Sequence, residues 1–206
     1  MIQRPEPRIV LASASAARRS VLAAAGVAFS AETAAVDEAA IKESARAEGL
    51  SAGEAATLLA EAKARRVAGR RAPNGDALVI GADQILVCDG AWFDKPPDLA
   101  AARAQLLALR GRPHELATAV VCWRGGERVW GQFASPRLAM RRFSDAFLDA
   151  YLAAEGEAVL GSVGAYRLEG LGAHLFAAVE GEHAAVLGLP LLPLLGFLRG
   201  HGVLLG

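Results

Sequence analysis

The sequence of 206 residues carries 22 basic and 22 acidic side chains, so its formal net charge at pH 7 is zero. A domain that binds a nucleic-acid polymer usually has a strong basic excess, and a chain with 53% apolar residues is not disordered. This length is enough for one α/β domain, or for one domain with two lobes around a cleft.

Two apolar segments resemble targeting or membrane elements, but both are too short. Residues 9–11 cannot form the apolar region of a signal peptide, and the apolar tail over 184–198 falls below the roughly 20 residues that span a bilayer. Cys88 and Cys122 lie in strand-like runs, which indicates buried thiols in a reducing compartment. The sequence therefore predicts a cytoplasmic protein that does not associate with a membrane.

The first element is a buried strand over residues 8–12, followed by a helix over 16–25 that Gly26 ends. Ser13 and Ser15 are candidate caps for this helix. A strand, a small polar turn and a helix N-terminus together form a common anion site, because free N–H groups and the helix dipole face outward there.

Arg18 and Arg19 lie in the first turn of this helix, where cations oppose the helix dipole. An anionic ligand would reverse that penalty. On local grounds, an ordinary exposed arginine pair is an equally good interpretation.

Residues 29–36 are a candidate second strand, with Asp37 and Glu38 at its end. Ser51 and Glu54 then form a capping-box pattern, which predicts a helix that runs to about Arg70.

Lys63 lies at the border of the apolar stripe of that helix. A snorkelling lysine is the default interpretation, and a lysine directed along a cleft wall is the functional one. A turn is predicted at Pro73–Gly75.

The stretch from Val79 to Lys95 is the centre of the predicted fold. Two short β-branched runs, 79–80 and 85–87, read as strand ends, with Asp83 and Gln84 in the segment between them. A buried carboxylate needs compensation, so Asp83 is either a satisfied structural residue or a carboxylate that binds a metal ion or activates water. Asp89 and Gly90 predict a turn.

The second half of the chain shows clear helix caps and one hairpin signal. Many glycines after residue 160 suggest tight bends, and Glu169 is the acid among them. The predicted elements are a helix from Asp98 to Gly111, extended runs over 114–123 and 127–133 joined at Gly125–Gly126, a continuation of the second run to Phe143, a helix from Ser144 to Glu155, and a helix over 190–199.

Several polar residues lie next to the ends of apolar strands and helices, and their types together suit one kind of reaction. Several cations together with two or three acids suit hydrolysis of a nucleotide polyphosphate, in which acids bind Mg²⁺ and cations neutralise the leaving group. No P-loop, nucleophile elbow or HExxH pattern is present. These polar residues are Ser13, Ser15, Arg18, Arg19, Glu38, Lys63, Asp83, Lys95 and Glu169.

Spaced motifs along nearly the whole chain resemble the Maf, or septum-formation, family of nucleoside triphosphate pyrophosphatases. Each motif is weak alone, whereas the combination is specific. The matching stretches are Leu11–Arg19 to LASxSPRR, Val36–Glu38 to VDE, Ala62–Ala64 to KA, Gly81–Asp83 to GAD, Lys95–Pro96 to KP, Leu109–Thr118 to LSGrxHxVxT, Ala165–Gly172 to GAYxIQGxG, and Val186–Pro190 to VxGLP.

This resemblance implies a single Maf-like domain over residues 1–206. The implied fold is α/β, with a mixed, strongly twisted central sheet flanked by helices and two lobes around a cleft, as in Maf and ITPase-like proteins. It also implies hydrolysis of a nucleoside triphosphate to the monophosphate and pyrophosphate, with a divalent metal cation, Mg²⁺ or Mn²⁺.

The resemblance also implies roles for individual residues. Asp83 would be the proton acceptor, and Glu38 would assist the metal or the water, so both are candidate catalytic residues and metal ligands. The residues implied to surround the phosphates are Ser13, Ser15, Arg18, Arg19, Lys63 and Lys95.

Three positions bear on the substrate. Gln84 follows the catalytic acid where dTTP- and UTP-directed members usually carry Thr, and Glu169 stands where those members carry Gln. This pairing is similar to the branch that acts on 7-methyl-GTP, and a carboxylate can accept from guanine N1–H and the exocyclic amine. Ala17 replaces the larger side chain, often Trp, of that branch, and Ala16 replaces the proline of the motif.

The leading hypothesis is therefore a pyrophosphatase that clears modified nucleotides and prefers 7-methyl-GTP. The alternatives are the same chemistry on dTTP and UTP, a nucleotide-binding regulator of cell division without turnover, and a structural protein. The expected partner is a nucleoside triphosphate, and the apolar balance makes a homodimer a reasonable expectation.

Overall fold

The computed structural model describes residues 2–70 and 77–206, so the turn predicted at Pro73–Gly75 lies outside the described residues. The chain divides into two compact units. The first unit comprises the described parts of Met1–Gln84, Thr118–Ala134 and Glu182–Gly206, and the second comprises Ile85–Ala117 and Ser135–Gly181.

Seven α-helices and eight strands lie within the described residues. The helices are α1 (Ala16–Ala24), α2 (Glu38–Ala47), α3 (Ala52–Ala68), α4 (Leu99–Leu109), α5 (Asp145–Glu155), α6 (His183–Val186) and α7 (Leu191–Gly200). The strands are β1 (Arg8–Leu11), β2 (Ser30–Ala31), β3 (Ala77–Cys88), β4 (Ala91–Phe93), β5 (Pro113–Arg124), β6 (Glu127–Ala134), β7 (Arg137–Met140) and β8 (Phe176–Glu180). Short 3-10 helices cover Gly156–Gly161, Val163–Ala165 and Leu171–Leu175.

The strands form a mixed sheet in the order β2-β1-β3-β5-β7-β8, and β4 and β6 pair with β3 and β5. β1 is parallel to both β2 and β3, whereas the pairs β3–β4, β5–β6, β5–β7 and β7–β8 are antiparallel. The predicted α/β class with a mixed central sheet flanked by helices is confirmed. The single domain over 1–206 and the cleft between two lobes stay predictions.

β3 is one continuous strand of 12 residues, so the prediction that residues 81–84 separate two strand ends was wrong. Glycine and aspartate are uncommon in strand interiors, and Gly81 and Asp83 therefore read as a break. The structure shows why glycine is required. A Cβ at Gly81 would lie 2.1 Å from the carbonyl oxygen of Ala60, because α3 packs directly on this strand.

The segment before α3 also differs from the prediction. The strand expected over 29–36 is only two residues long, at Ser30–Ala31, and the helix α2 was not predicted. Asp37 is not a strand-end acid but the cap of α2, since its side chain accepts from the backbone N–H of Ala40. The residues expected at the end of the strand therefore begin a capped helix, with Glu38 in its first turn.

Local signals predicted α1, α3, α4, α5, α7 and the hairpin correctly, whereas the four-residue helix α6 was not predicted. Ser51 and Glu54 form the complete capping box at α3, and Ser15, Asp98 and Ser144 cap α1, α4 and α5. The run expected to continue to Phe143 instead breaks after β6 and resumes as β7.

The first unit has an apolar core between the sheet and α7. Ile80 and Ala82 of β3 pack in it together with Leu194 and Phe197 of α7. Because side chains alternate along a strand, Gly81 and Asp83 face the opposite side, towards α3. The core therefore fixes which residues of β3 point at α3.

The second unit contains an aromatic cluster around His114. The Nε2 of this histidine lies 2.9 Å from the hydroxyl oxygen of Tyr166, and its ring centroid lies 5.9 Å from that of Phe176. His114 is only 4% exposed. Burial lowers the pKa of His114 to about 4, against a smaller opposing effect of the Arg112 backbone, so the imidazole is neutral at pH 7.

Both cysteines are buried free thiols, Cys88 in the second unit and Cys122 in the first. Burial raises the pKa of both thiols. Among the described residues no helix is long and apolar enough to cross a membrane.

Candidate active site

Three charged side chains of the first unit meet at one point. The Nζ of Lys63 lies 2.5 Å from Oδ1 of Asp83 and 2.7 Å from Oε1 of Glu38. The Lys63 and Asp83 side chains are 10% and 7% exposed, whereas that of Glu38 is 45% exposed. One ammonium group thus holds two carboxylates together at the edge of solvent.

The backbone around Gly81 brings this cluster together. α3 packs closely on β3 at Gly81. Because Lys63 lies one turn after Leu59 on α3 and Asp83 lies two residues after Gly81 on β3, this contact places Lys63 against Asp83. Lys63 is therefore a buried ion-pair partner of Asp83, and the default interpretation as a snorkelling surface lysine was wrong.

The N-terminus of α1 carries the predicted serines and an ordered arginine. The Oγ of Ser15 accepts from the backbone N–H of Arg18 at 3.3 Å, and the Oγ of Ser13 accepts from the backbone N–H of Ser15 at 3.2 Å. The Nη1 of Arg18 donates to the same Ser13 oxygen at 3.3 Å, and Nε donates to the carbonyl oxygen of Gly188 at 2.8 Å.

Arg18 shares the electrostatic environment of the carboxylate cluster. Burial lowers the pKa of its guanidinium, and the negative charges of Asp83 and Glu38 oppose that shift. The two arginines of the motif therefore differ: Arg18 is ordered between protein oxygens, whereas Arg19 is exposed, as is expected of an ordinary surface arginine. Ala17, a predicted specificity residue, is partly buried in the same turn.

Gln84 lies on the face of β3 opposite Asp83. Its Nε2 donates to Oγ1 of Thr118 at 2.8 Å and to the carbonyl oxygens of Ala185 and Val186 at 3.0 and 3.2 Å. The predicted specificity residue thus binds the end of α6. Sequence reasoning assigned no role to Thr118, although the LSGrxHxVxT stretch contained it.

Two predicted site residues belong to the second unit. Lys95 follows β4 and is exposed, and Glu169 is exposed and forms an ion pair with Arg167, with 3.8 Å between Oε1 and Nε. Their predicted contacts with substrate stay predictions.

The donor set fits a metal held jointly with substrate. Within residues 2–70 and 77–206 no group of three or more His, Cys, Asp or Glu side chains could hold a metal ion alone. Asp83 and Glu38 supply two carboxylates at one point, and Mg²⁺ is usually bound through one or two carboxylates together with substrate phosphates. Lys63 and Arg18 place two positive charges beside these two acids, and a divalent cation would add further positive charge at the same point.

Comparisons with known proteins cover nearly the whole sequence of this chain. The family model described as Maf-like protein matches residues 8–201. A protein of Granulibacter bethesdensis named nucleoside triphosphate pyrophosphatase is 59% identical over 96% of this chain and 98% of its own length. Proteins of the same name from Rhodospirillum rubrum and Paramagnetospirillum magneticum are 54% and 55% identical, over 97% and 95% of this chain and 97% and 99% of their own lengths. This chain belongs to the Maf-like protein family.

Proposed function

We propose that this protein hydrolyses a nucleoside triphosphate to the monophosphate and pyrophosphate, with 7-methyl-GTP as its preferred substrate. The general activity is that of a nucleoside triphosphate pyrophosphatase, a hydrolase, as the relatives of 59%, 55% and 54% identity are named. Membership of the Maf-like family over residues 8–201 supports the same activity.

The observation that carries the proposal is the ammonium of Lys63 between Asp83 and Glu38. Burying a lysine beside two acids has a desolvation cost that a purely structural site would not require. Ionisable groups in such surroundings are concentrated at functional sites. In the proposed reaction Asp83 accepts the proton of the attacking water, and Glu38 orients that water or the metal. Arg18 and Lys63 then offset negative charge on the phosphates, as do Ser13 and Ser15 through their hydroxyls.

A divalent cation, Mg²⁺ or Mn²⁺, is proposed to bind Asp83 and Glu38. When bound, such an ion neutralises phosphate charge and polarises the phosphorus–oxygen bonds. Arg19 and Lys95 are proposed to contribute long-range attraction for the polyphosphate, since both side chains are exposed.

The preference for a guanine base rests on the polarity of two side chains. Three oxygens surround the amide nitrogen of Gln84, so a ligand that reaches this side chain would meet Oε1, an acceptor. Glu169 also offers acceptors only. Guanine presents two neighbouring donors, N1–H and the exocyclic amine, whereas thymine and uracil present one donor between two acceptors. Methylation at N7 makes the base cationic, which adds attraction to the carboxylate.

The test is a panel of 7-methyl-GTP, GTP, dTTP and UTP with Mg²⁺ or Mn²⁺, with release of pyrophosphate as the readout. The proposal expects kcat/KM for 7-methyl-GTP to exceed that for dTTP at least tenfold. A preference for dTTP or UTP would overturn the substrate assignment, and binding of triphosphate without turnover would favour the non-catalytic regulator. The Asp83→Asn variant is expected to lose most of the rate. Asp149→Asn, which neutralises an exposed carboxylate paired with Arg103, is the matched control.

Two further proposals concern the setting of the protein. Cys88 and Cys122 are buried and not disulfide-bonded, which is consistent with the reducing cytoplasm. A homodimer is proposed from the apolar composition, and size-exclusion chromatography with light scattering tests it.

A further inference from the structure

We propose that Gln84 and Thr118 are positioning residues that hold Arg18 in place through the segment from Ala185 to Gly188. This inference rests on the proposed contact between Arg18 and the phosphates. It assigns to Gln84 a task that is independent of the base, and to Thr118 its first role.

The orientation of the Gln84 amide is fixed by its neighbours. Of the three oxygens around Nε2, those of Ala185 and Val186 are backbone carbonyls, which can only accept. The NH₂ end must therefore point at α6, because a flipped amide would place its own oxygen against two carbonyl oxygens. Gln84 thus holds the last turn of this four-residue helix.

Thr118 also forms a hydrogen bond with this turn. Its Oγ1 donates to the carbonyl oxygen of Ala185 at 3.2 Å and accepts from Nε2 of Gln84 at 2.8 Å. Thr118 is fully buried, so its hydroxyl cannot exchange these partners for bulk water. A buried hydroxyl whose partner is removed leaves an unsatisfied group, which makes the arrangement rigid.

The end of α6, which Gln84 and Thr118 bind, is followed by a residue that binds Arg18. Three residues after Ala185, the carbonyl oxygen of Gly188 accepts from Nε of Arg18 at 2.8 Å, and the backbone N–H of Gly188 donates back to the Ala185 carbonyl at 3.0 Å. Gly188 has a φ of +93°, and a Cβ there would lie 3.0 Å from the Arg18 Nε. This position therefore needs glycine, both for its backbone conformation and for the approach of the guanidinium.

The guanidinium of Arg18 is thereby fixed from two sides. Gly188 binds Nε and Ser13 binds Nη1, so within residues 2–70 and 77–206 three of the five N–H donors of Arg18 remain for a ligand. A guanidinium that is already oriented loses less entropy when it binds a phosphate. Loosening the Ala185–Gly188 segment should therefore weaken phosphate binding whatever the base.

Pyrophosphate is the probe, because it contains the phosphates and no base. Its binding is measured by titration calorimetry and by inhibition of turnover. Thr118→Val is expected to weaken pyrophosphate binding at least threefold and to lower kcat/KM for 7-methyl-GTP and dTTP by the same factor. Thr118→Ser keeps the hydroxyl and should stay within twofold of the wild type. The matched control is Thr57→Val, which removes a hydroxyl that bonds within α3 to the Gly53 carbonyl.

A double-mutant cycle with Arg18→Lys separates positioning from general damage. Lysine lacks the Nε donor, so Thr118→Val should weaken pyrophosphate binding less than twofold further in that background. Equal effects in both backgrounds would overturn the inference, as would unchanged pyrophosphate binding in Thr118→Val. Gln84→Met, at a half-buried position, serves if Thr118→Val does not fold, with the same outcomes required. Absence of pyrophosphate binding by the wild type would instead overturn the proposed function.

Discussion

The neutral, buried state of His114 predicts a specific loss of stability in acid. The pKa of His114 is lowered to about 4 in the folded protein, chiefly by burial, whereas an unfolded histidine titrates near 6.5. The unfolded chain therefore binds more protons than the folded one between these values. Stability from this group is complete above about pH 6.5 and is lost progressively as the pH falls towards about 4.

The size of the effect follows from the two pKa values. A difference between 6.5 and about 4 corresponds to about 3 kcal/mol of unfolding free energy in total, of which about 2 kcal/mol is already lost at pH 5. Replacing the histidine by a side chain that does not titrate should remove this part of the pH dependence. Glutamine suits this purpose, because its amide stays neutral and can still bond the hydroxyl of Tyr166.

The assay is urea unfolding of the wild type and His114→Gln at pH 7 and pH 5. Between these conditions the stability of the variant relative to the wild type should rise by about 2 kcal/mol. His174→Gln is the matched control, since His174 is exposed and uses only its backbone carbonyl to bond Arg141. If His114→Gln loses as much stability as the wild type between pH 7 and pH 5, the neutral buried imidazole is refuted.

Three further substitutions test the packing, the ion pairs and the capping of the first unit. A Cβ at Gly81 would lie 2.1 Å from the Ala60 carbonyl oxygen, so Gly81→Ala should lower the unfolding free energy by about 1 to 3 kcal/mol, and an unchanged urea midpoint would contradict this. Lys63→Met leaves Asp83 buried without its cation. Its unfolding free energy should fall by about 3 kcal/mol, and a variant as stable as the wild type would count against the ion pair. Ser51→Ala removes a helix cap and should cost about 1 kcal/mol, visible as a lower Tm; an equal Tm would argue against the capping box.

Local sequence signals were sufficient for most helices but not for the central strand. The caps at Ser15, Ser51 and Ser144 act within three residues, so the sequence itself contains both partners. Gly81 and Asp83 have the opposite character. They look like a loop locally, and only the packing of α3 on β3 explains why a glycine and a carboxylate occupy a buried strand.

The candidate site was predicted as a set of residue types but not as a geometry. Chain position could not show whether Lys63 snorkels or is buried, because its two acidic partners lie 20 and 25 positions away. Nor could it distinguish Arg18 from Arg19, since the distinction depends on a carbonyl 170 positions later. Contacts of this kind arise only when distant segments pack together.

The positions of the two thiols allow local opening to be measured separately in each unit. Each unit contains one cysteine, and neither reacts readily while its side chain is buried and its pKa is raised. Under a pulse of alkylating reagent, each sulfur becomes modified only when its own surroundings open. Mass spectrometry of the two cysteine-containing peptides would then give a separate opening rate for each unit, without the introduction of any new cysteine.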